Sequence, residues 1–148
     1  MKDADPYLFR GMMSPFPNCL WDARRKDLDY DELRRLTAQW KAVADCFAGD
    51  YYPLTDYSLD RTAWMGWQFH RPDTGKGMVQ AFRRENSIYR AVDLTLRGLD
   101  PDATYRITDL DNPSAPRDIG GRVLTETGLP IEITRRPGSV LFTYERVP

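Results

Sequence analysis

The sequence predicts a mainly β fold: an antiparallel two-sheet β-sandwich with Greek-key-like connections, preceded by an irregular N-terminal segment and one α-helix. Two periodicities lead to this prediction. Between residues 30 and 47, apolar side chains recur every three or four positions, as on one face of a helix. Beyond residue 60, short segments alternate apolar and polar residues and are separated by Gly, Pro or Asp, as in sandwiches and barrels.

Length and composition set the limits within which this fold must work. The chain has 148 residues, of which 41% are hydrophobic and 29% charged, enough for one domain with a substantial core. The net charge of -1 gives no general attraction to nucleic acid or to an anionic membrane, so we expect neither as a partner. The sequence shows no membrane span and no signal peptide. We therefore expect a cytoplasmic protein with Cys19 and Cys46 reduced.

The N-terminal part divides into an irregular segment and a helix. Three prolines among residues 1–28 predict the absence of any long element there. The following stretch, "DYDELRRLTAQWKAVADCF", predicts a helix from about Tyr30 to Phe47. Asp29 and Glu32 resemble a capping box, and Gly49 is a plausible C-terminal stop.

The strands are predicted from period-two alternation. "AWMGWQFHRPDTGKGMVQAFRR" predicts two strands, Ala63–His70 and Gly77–Arg84, joined by a turn-rich loop. Further strands are predicted in "AVDLTLRGL", "TYRITDL", "RVLTE", "IEIT" and "SVLFTYERV". The expected organisation is therefore an N-terminal segment over residues 1–58 and a β-sandwich domain over residues 59–148.

The aromatic residues of the first predicted strand have two readings. Trp64 and Trp67 differ by three positions and should face opposite sides of a strand, one in the core and the other covered by the helix. We expect Trp67 and Phe69 to point together into the packed interior with Phe82 as a partner, and His70 to be partly solvated. Alternatively, Trp64 and Trp67 are candidate substrate-binding residues that form a platform for a sugar ring.

No motif carries recognisable catalytic or metal chemistry. His70 is the only histidine, which leaves little for a metal cluster or a Ser-His-Asp triad. The stretch "DTGKG" lacks the spacing of a phosphate-binding loop. The 22 acidic residues show no spacing that singles out an acid and a base. We therefore expect no catalytic residue, no metal and no cofactor.

Several stretches, taken in order, resemble a known family. They are the helix that ends in an aromatic residue, "GDYYPLTDYS", "AWMGWQFHRPD", "GMVQAFRR", "LRGLDPDATYRITDLD" and "SVLFTYERV". From about Met13 onward, the chain is similar to the C-terminal region of the α-galactosidases of glycoside hydrolase family 36. The resemblance implies the end of a (β/α)8 barrel followed by a C-terminal β-sandwich.

The resemblance also implies a role without catalysis. In this family two aspartates on earlier barrel strands act by double displacement, and this chain starts after them. "LWD" at residues 20–22 is only superficially similar to the nucleophile segment, because Leu20 replaces its lysine and Ala23 follows the aspartate. No catalytic residue is carried over, and the chain alone should be inactive.

Three functions remain open. The first is a non-catalytic C-terminal domain that stabilises the catalytic barrel and its assembly, with the barrel of the same enzyme or a second copy of the chain as partner. The second is a self-standing carbohydrate-binding module with galactosides as candidate ligands. The third is a complete small enzyme with an unrecognised carboxylate pair.

Overall fold

A computed structural model gives the structure of residues 4–16, 22 and 24–148. The helices in these residues are α1 (Pro6–Gly11), α2 (Tyr30–Val43), which continues into a 3-10 helix (Ala44–Ala48), and α3 (Gly121–Glu126). The strands are β1 (Asp50–Pro53), β2 (Met65–Arg71), β3 (Lys76–Arg83), β4 (Ala91–Leu94), β5 (Thr104–Asp109), β6 (Arg117–Gly120), β7 (Leu129–Glu132) and β8 (Gly138–Arg146).

The strands form two antiparallel sheets, as predicted. Six strands make the large sheet, in the order β1-β2-β3-β8-β5-β6, and β4 pairs with β7 in the small sheet. Because β1 pairs with β2, the large sheet starts at Asp50, within the first of the two expected segments. We call the face of the large sheet that looks toward the small sheet its inner face, and the opposite face its outer face.

The inner face carries the main hydrophobic core. Alternate residues of β3, β5 and β8 meet the small sheet and α3 there, as the period of two requires. The best-buried members of this core are Val79, Ala81, Ile107, Leu124, Leu129, Ile131, Phe142 and Tyr144. The period-two alternation of "SVLFTYERV" is confirmed, since Phe142 and Tyr144 belong to this core and Val140 packs against it.

The outer face is covered by the N-terminal helices. Met78 and Leu141 pack there against Val43 and Cys46, which follow one another at the end of α2 and in the 3-10 helix. Phe69 contacts Phe47 with their ring centroids 4.9 Å apart. A smaller core therefore lies between the helices and the sheet.

The predicted helix is confirmed as α2 with its 3-10 extension. Asp29 caps it by accepting a hydrogen bond from the Glu32 N–H at 3.0 Å, and the 3-10 helix ends at Gly49. Its buried side chains, Leu33, Leu36 and Val43, form the stripe that meets the rest of the molecule.

Two local predictions were wrong. Residues 1–28 contain the helix α1, because Pro6 stands in its first turn, where proline is tolerated, and Asp5 caps it through the Tyr7 N–H. "RVLTE" forms most of α3 and is not a strand. The chain leaves α3 at Gly128, whose φ of +109° is a conformation that favours glycine.

Candidate functional site

The two tryptophans proposed as a sugar platform are both engaged in packing. Trp64 is 9% exposed in the main core, and its Nε1–H donates to the Tyr89 carbonyl at 3.2 Å. Trp67 lies half-buried on the outer face, where its ring is 4.9 Å from that of Phe82. Its Nε1–H donates to Gln80 Oε1 at 2.7 Å. Trp64 is therefore part of the core, and Trp67 keeps part of its side chain exposed.

The neighbouring aromatic prediction is partly correct. Trp67 and Phe69 share a face with Phe82, but this is the outer face, under the helices, and both side chains are only half-buried. His70 lies on the opposite face as predicted, yet it is 3% exposed, so the expectation of partial solvation was wrong.

His70 belongs to a buried polar network on the inner face. Its Nδ1 lies 2.9 Å from the Tyr144 hydroxyl, which accepts a hydrogen bond from Gln68 Nε2 at 2.8 Å. Gln68 also holds the following loop by accepting from the Arg97 N–H and donating to its carbonyl. Tyr144 can donate its own proton to His70 Nδ1 while the imidazole is neutral. The network is therefore satisfied with a neutral histidine.

Gly77 makes this network possible. In the sheet, His70 and Tyr144 occupy the two positions that flank Gly77 on neighbouring strands. A Cβ at Gly77 would lie 2.2 Å from the Tyr144 hydroxyl oxygen, so only glycine leaves room for the two rings to meet across β3. Burial lowers the pKa of His70 and raises that of Tyr144, so neither group is tuned for proton transfer near neutrality.

The described residues hold no cluster suited to a metal ion. No group of three or more His, Cys, Asp or Glu side chains comes together within them. Cys46 is buried and free, and burial raises its pKa to about 11, so its thiol stays protonated. Cys19 lies outside the described residues, as do Leu20 and Ala23 beside the "LWD" aspartate. That aspartate, Asp22, is an exposed partner of Arg24.

A second buried polar cluster joins the helices to the sheet. The Arg10 guanidinium is 1% exposed and donates to the Ser139 carbonyl, to Gln39 Oε1 and to the Asp111 carboxylate. Arg35 donates to the same carboxylate. Burial alone would raise the pKa of Asp111, but the hydrogen bonds from Arg10 and Gln39 outweigh it and lower the pKa to about 2. These contacts fasten α1 and α2 to the outer face.

A third feature is a set of exposed apolar side chains on two neighbouring loops. We call Tyr57, Leu59, Ile88 and Tyr89 the loop patch; their exposed fractions are 88%, 79%, 73% and 69%. The two loops are bonded to each other, because the Asn86 N–H donates to the Arg61 carbonyl.

The loop that carries Ile88 and Tyr89 is held from beneath. Arg83, 4% exposed, donates to the Ser87 carbonyl and to the carbonyl of Ile133. The indole of Trp64 binds the carbonyl of Tyr89. The backbone of this loop is therefore fixed while its large apolar side chains face solvent, which is typical of an interaction surface.

Comparison with known proteins gives a consistent picture. A family model described as the glycosyl hydrolase family 36 C-terminal domain matches residues 64–143. A comparison with curated proteins gives no match. No helix in the described part of the chain is long and apolar enough to cross a membrane.

Solved structures share the fold of this chain at low sequence identity. A GH36 α-galactosidase variant, AgaA of Geobacillus stearothermophilus in complex with raffinose, superposes with a TM-score of 0.65 at 20% identity over 82% of this chain. AgaB of the same organism superposes with a TM-score of 0.61 at 23% identity over 82% of this chain. The galactosidase domain of the α-galactosidase-sucrose kinase AgaSK superposes with a TM-score of 0.58 at 19% identity over 89% of this chain. This chain covers 17%, 16% and 17% of those chains, respectively, so it spans a small part of their length.

Proposed function

This chain belongs to the family of glycosyl hydrolase family 36 C-terminal domains, and from that premise we propose that it serves an α-galactosidase-like glycoside hydrolase as a non-catalytic β-sandwich domain. Its role is to stabilise the catalytic barrel and its assembly in the cytoplasm. In this proposal residues 1–58 correspond to the end of the barrel and residues 59–148 to the sandwich.

The loop patch is the observation that carries this proposal. Four large apolar side chains on two braced loops lose contact with water only if another surface covers them. Burying one such side chain is worth roughly 1.5–3 kcal/mol, so covering the patch favours association. The loop that carries Ile88 and Tyr89 needs little reordering on binding, because Arg83 and Trp64 already fix its backbone.

We base the proposed lack of a catalytic role on the chemistry of the acidic residues. Retaining hydrolysis needs two carboxyl groups about 5–5.5 Å apart on either side of the scissile bond, one of them able to donate a proton. Asp111 is committed to Arg10 and Arg35, and its lowered pKa keeps it ionised, so it holds no proton to donate near neutral pH. This chain alone should therefore release no product from a chromogenic α-galactoside above the buffer rate.

The stabilising role is tested by producing this chain together with the catalytic barrel of the same enzyme. We expect the barrel to bind this chain and to unfold at a higher temperature in its presence, because a ligand of the folded state stabilises it. Ile88→Asp should weaken binding at least about tenfold by burying a charge in the contact. Val123→Asp, on the exposed surface of α3, is the matched control. A barrel whose stability is indifferent to this chain would contradict the proposal.

A further inference from the structure

The inner face of the large sheet is only partly covered, because the small sheet has two strands and the large sheet has six. Near β5 and β6 this difference leaves an open cleft of about 560 Å³ between the two sheets. The loop that joins β5 to β6 contributes Asn112 to one wall. The volume falls within the range of about 300–1,000 Å³ that is usual for small-molecule sites.

The floor of the cleft is apolar. Ile107 and Phe142 from the large sheet and Ile131 from the small sheet close it, and each of these side chains is also part of the main core. Such a floor offers a surface on which the C–H groups of a ligand can pack, and it is held rigid by the packing beneath it.

Two charged side chains stand at inner-face positions beside this floor. Asp109 faces Phe142 across the β5–β8 ladder, and Arg117 faces Ile107 across the β5–β6 ladder. Arg117 is exposed and Asp109 is half-buried, so both side chains are open to a ligand in the cleft, and Asp93 and Glu132 of the small sheet also line it. Asp109 and Arg117 are diagonal neighbours, and such neighbours are typically about 7–8 Å apart.

Neither charge is neutralised within the part of the chain that the structure describes. Asp109 Oδ1 accepts the Asp111 N–H at 2.9 Å, but its Oδ2 and the Arg117 guanidinium have no partner among the described residues. The outer face of the same two strands is different, because Arg106 and Asp118 form an ion pair there at 2.8 Å. The cleft therefore combines an unused acceptor, unused donors and an amide above an apolar floor.

We propose that this cleft binds a neutral saccharide, with Asp109 and Arg117 as its principal polar contacts. A sugar ring offers hydroxyl groups that donate to the carboxylate and accept from the guanidinium, and its C–H groups suit the floor. The carboxylates of Asp93, Asp109 and Glu132 repel an anion, and a saccharide carries no charge for Arg117 to repel. This inference does not rest on the proposed stabilising role, since it concerns a different surface.

The experiment is a titration of this chain, labelled with ¹⁵N, with raffinose and with methyl α-galactoside, followed by amide chemical shifts. We expect saturable shifts confined to the residues around Asp109 and Arg117. Asp109→Asn keeps the Oδ1 acceptor while removing the charge, and Arg117→Met keeps the aliphatic stem. Each should weaken saccharide binding at least about tenfold.

Arg106→Met is the matched control, because it lies on the opposite face of the same strand pair and should change the affinity less than twofold. Unfolding midpoints show that the variants remain folded. The proposal is overturned if neither sugar gives saturable shifts in the cleft, if Asp109→Asn and Arg117→Met bind like the unaltered chain, or if free glutamate shifts these amides and the sugars do not. None of these results bears on whether the loop patch binds the barrel.

Discussion

The two faces of the large sheet are held by different physical means. The inner face meets a second sheet through closely packed aliphatic and aromatic side chains, and its buried Gln68–His70–Tyr144 network is neutral and hydrogen-bonded. The outer face meets two helices through a smaller apolar core and through an ionic cluster centred on Arg10. Packing therefore dominates one face, and directed polar contacts fasten the other.

This difference follows from what each layer can bury. A small sheet presents alternate side chains to the inner face along its full length, so apolar area accumulates there. A helix as short as α1 has one buried side chain, Arg10, and cannot hold its position by apolar area alone. A multiply bonded guanidinium supplies both energy and a fixed orientation.

The largest expected effect tests the packing of the inner face. Ile107→Ala should lower the free energy of unfolding by about 2–5 kcal/mol, because Ile107 is 1% exposed and a cavity would remain. Phe69→Ala on the outer face should lower it by only about 1–2 kcal/mol, because the ring is half-buried. Urea unfolding of the two variants measures both losses of free energy. Equal losses would show that the two faces are packed alike.

The next effect tests the ionic fastening of the outer face. Arg10→Met should lower the free energy of unfolding by about 2–3 kcal/mol, because Gln39, Ser139 and Asp111 each lose a donor. In this variant Asp111 still has its ion pair with Arg35, so the loss of stability should be smaller than for an isolated buried ion pair. We expect faster proteolysis within α1 as well. Resistance of α1 to protease in Arg10→Met would mean that apolar contacts suffice.

The sequence predicted the elements whose pattern is local. The period of α2, its Asp29 cap and the hairpin of β2 and β3 could all be predicted from neighbouring residues. The helix α3 was missed because six residues are too few to separate a period of 3.6 from a period of 2.

The features that could not be predicted depend on contacts between segments that are distant in the sequence. His70 is buried because Gly77 and Tyr144 come to stand beside it, and that register cannot be read from any one segment. The cleft depends on such contacts as well, because Asp109 and Arg117 come from two consecutive paired strands but the distant strands β4 and β7 supply its opposite wall. Neither arrangement leaves a local signal in the sequence.

A smaller effect separates the two faces by their response to pH. Burial lowers the pKa of His70, so the folded protein binds this proton less readily than the unfolded chain does. The stability that neutral His70 contributes is complete above the pKa of about 6.5 that histidine has in the unfolded chain. It is lost as the pH falls below that value. Between pH 7 and pH 5, stability should fall by at most about 1.4 kcal/mol per pH unit.

The control for this effect is His70→Gln, which keeps an acceptor for Tyr144 and does not titrate. Its free energy of unfolding should vary less over the same pH interval, as measured by urea unfolding at each pH. If the free energy of unfolding fell equally with pH in His70→Gln and in the unaltered chain, the titrating group would be a residue other than His70.

The smallest effect concerns Asp111 and belongs to the outer face. Its folded pKa of about 2 lies below the ordinary aspartate value of 3.8, so the carboxylate contributes stability above pH 3.8 that is lost as the pH falls toward 2. Because its side chain is 37% exposed, solvent reduces this contribution below what a fully buried pair would give. Asp111→Asn should therefore be less stable than the unaltered chain at pH 5, and the difference should narrow as the pH falls from 4 to 2. Asp118→Asn, at an exposed ion pair, is the control and should show little difference at either pH. A constant gap between Asp111→Asn and the unaltered chain would mean that hydrogen bonding, and not charge, fastens the helices.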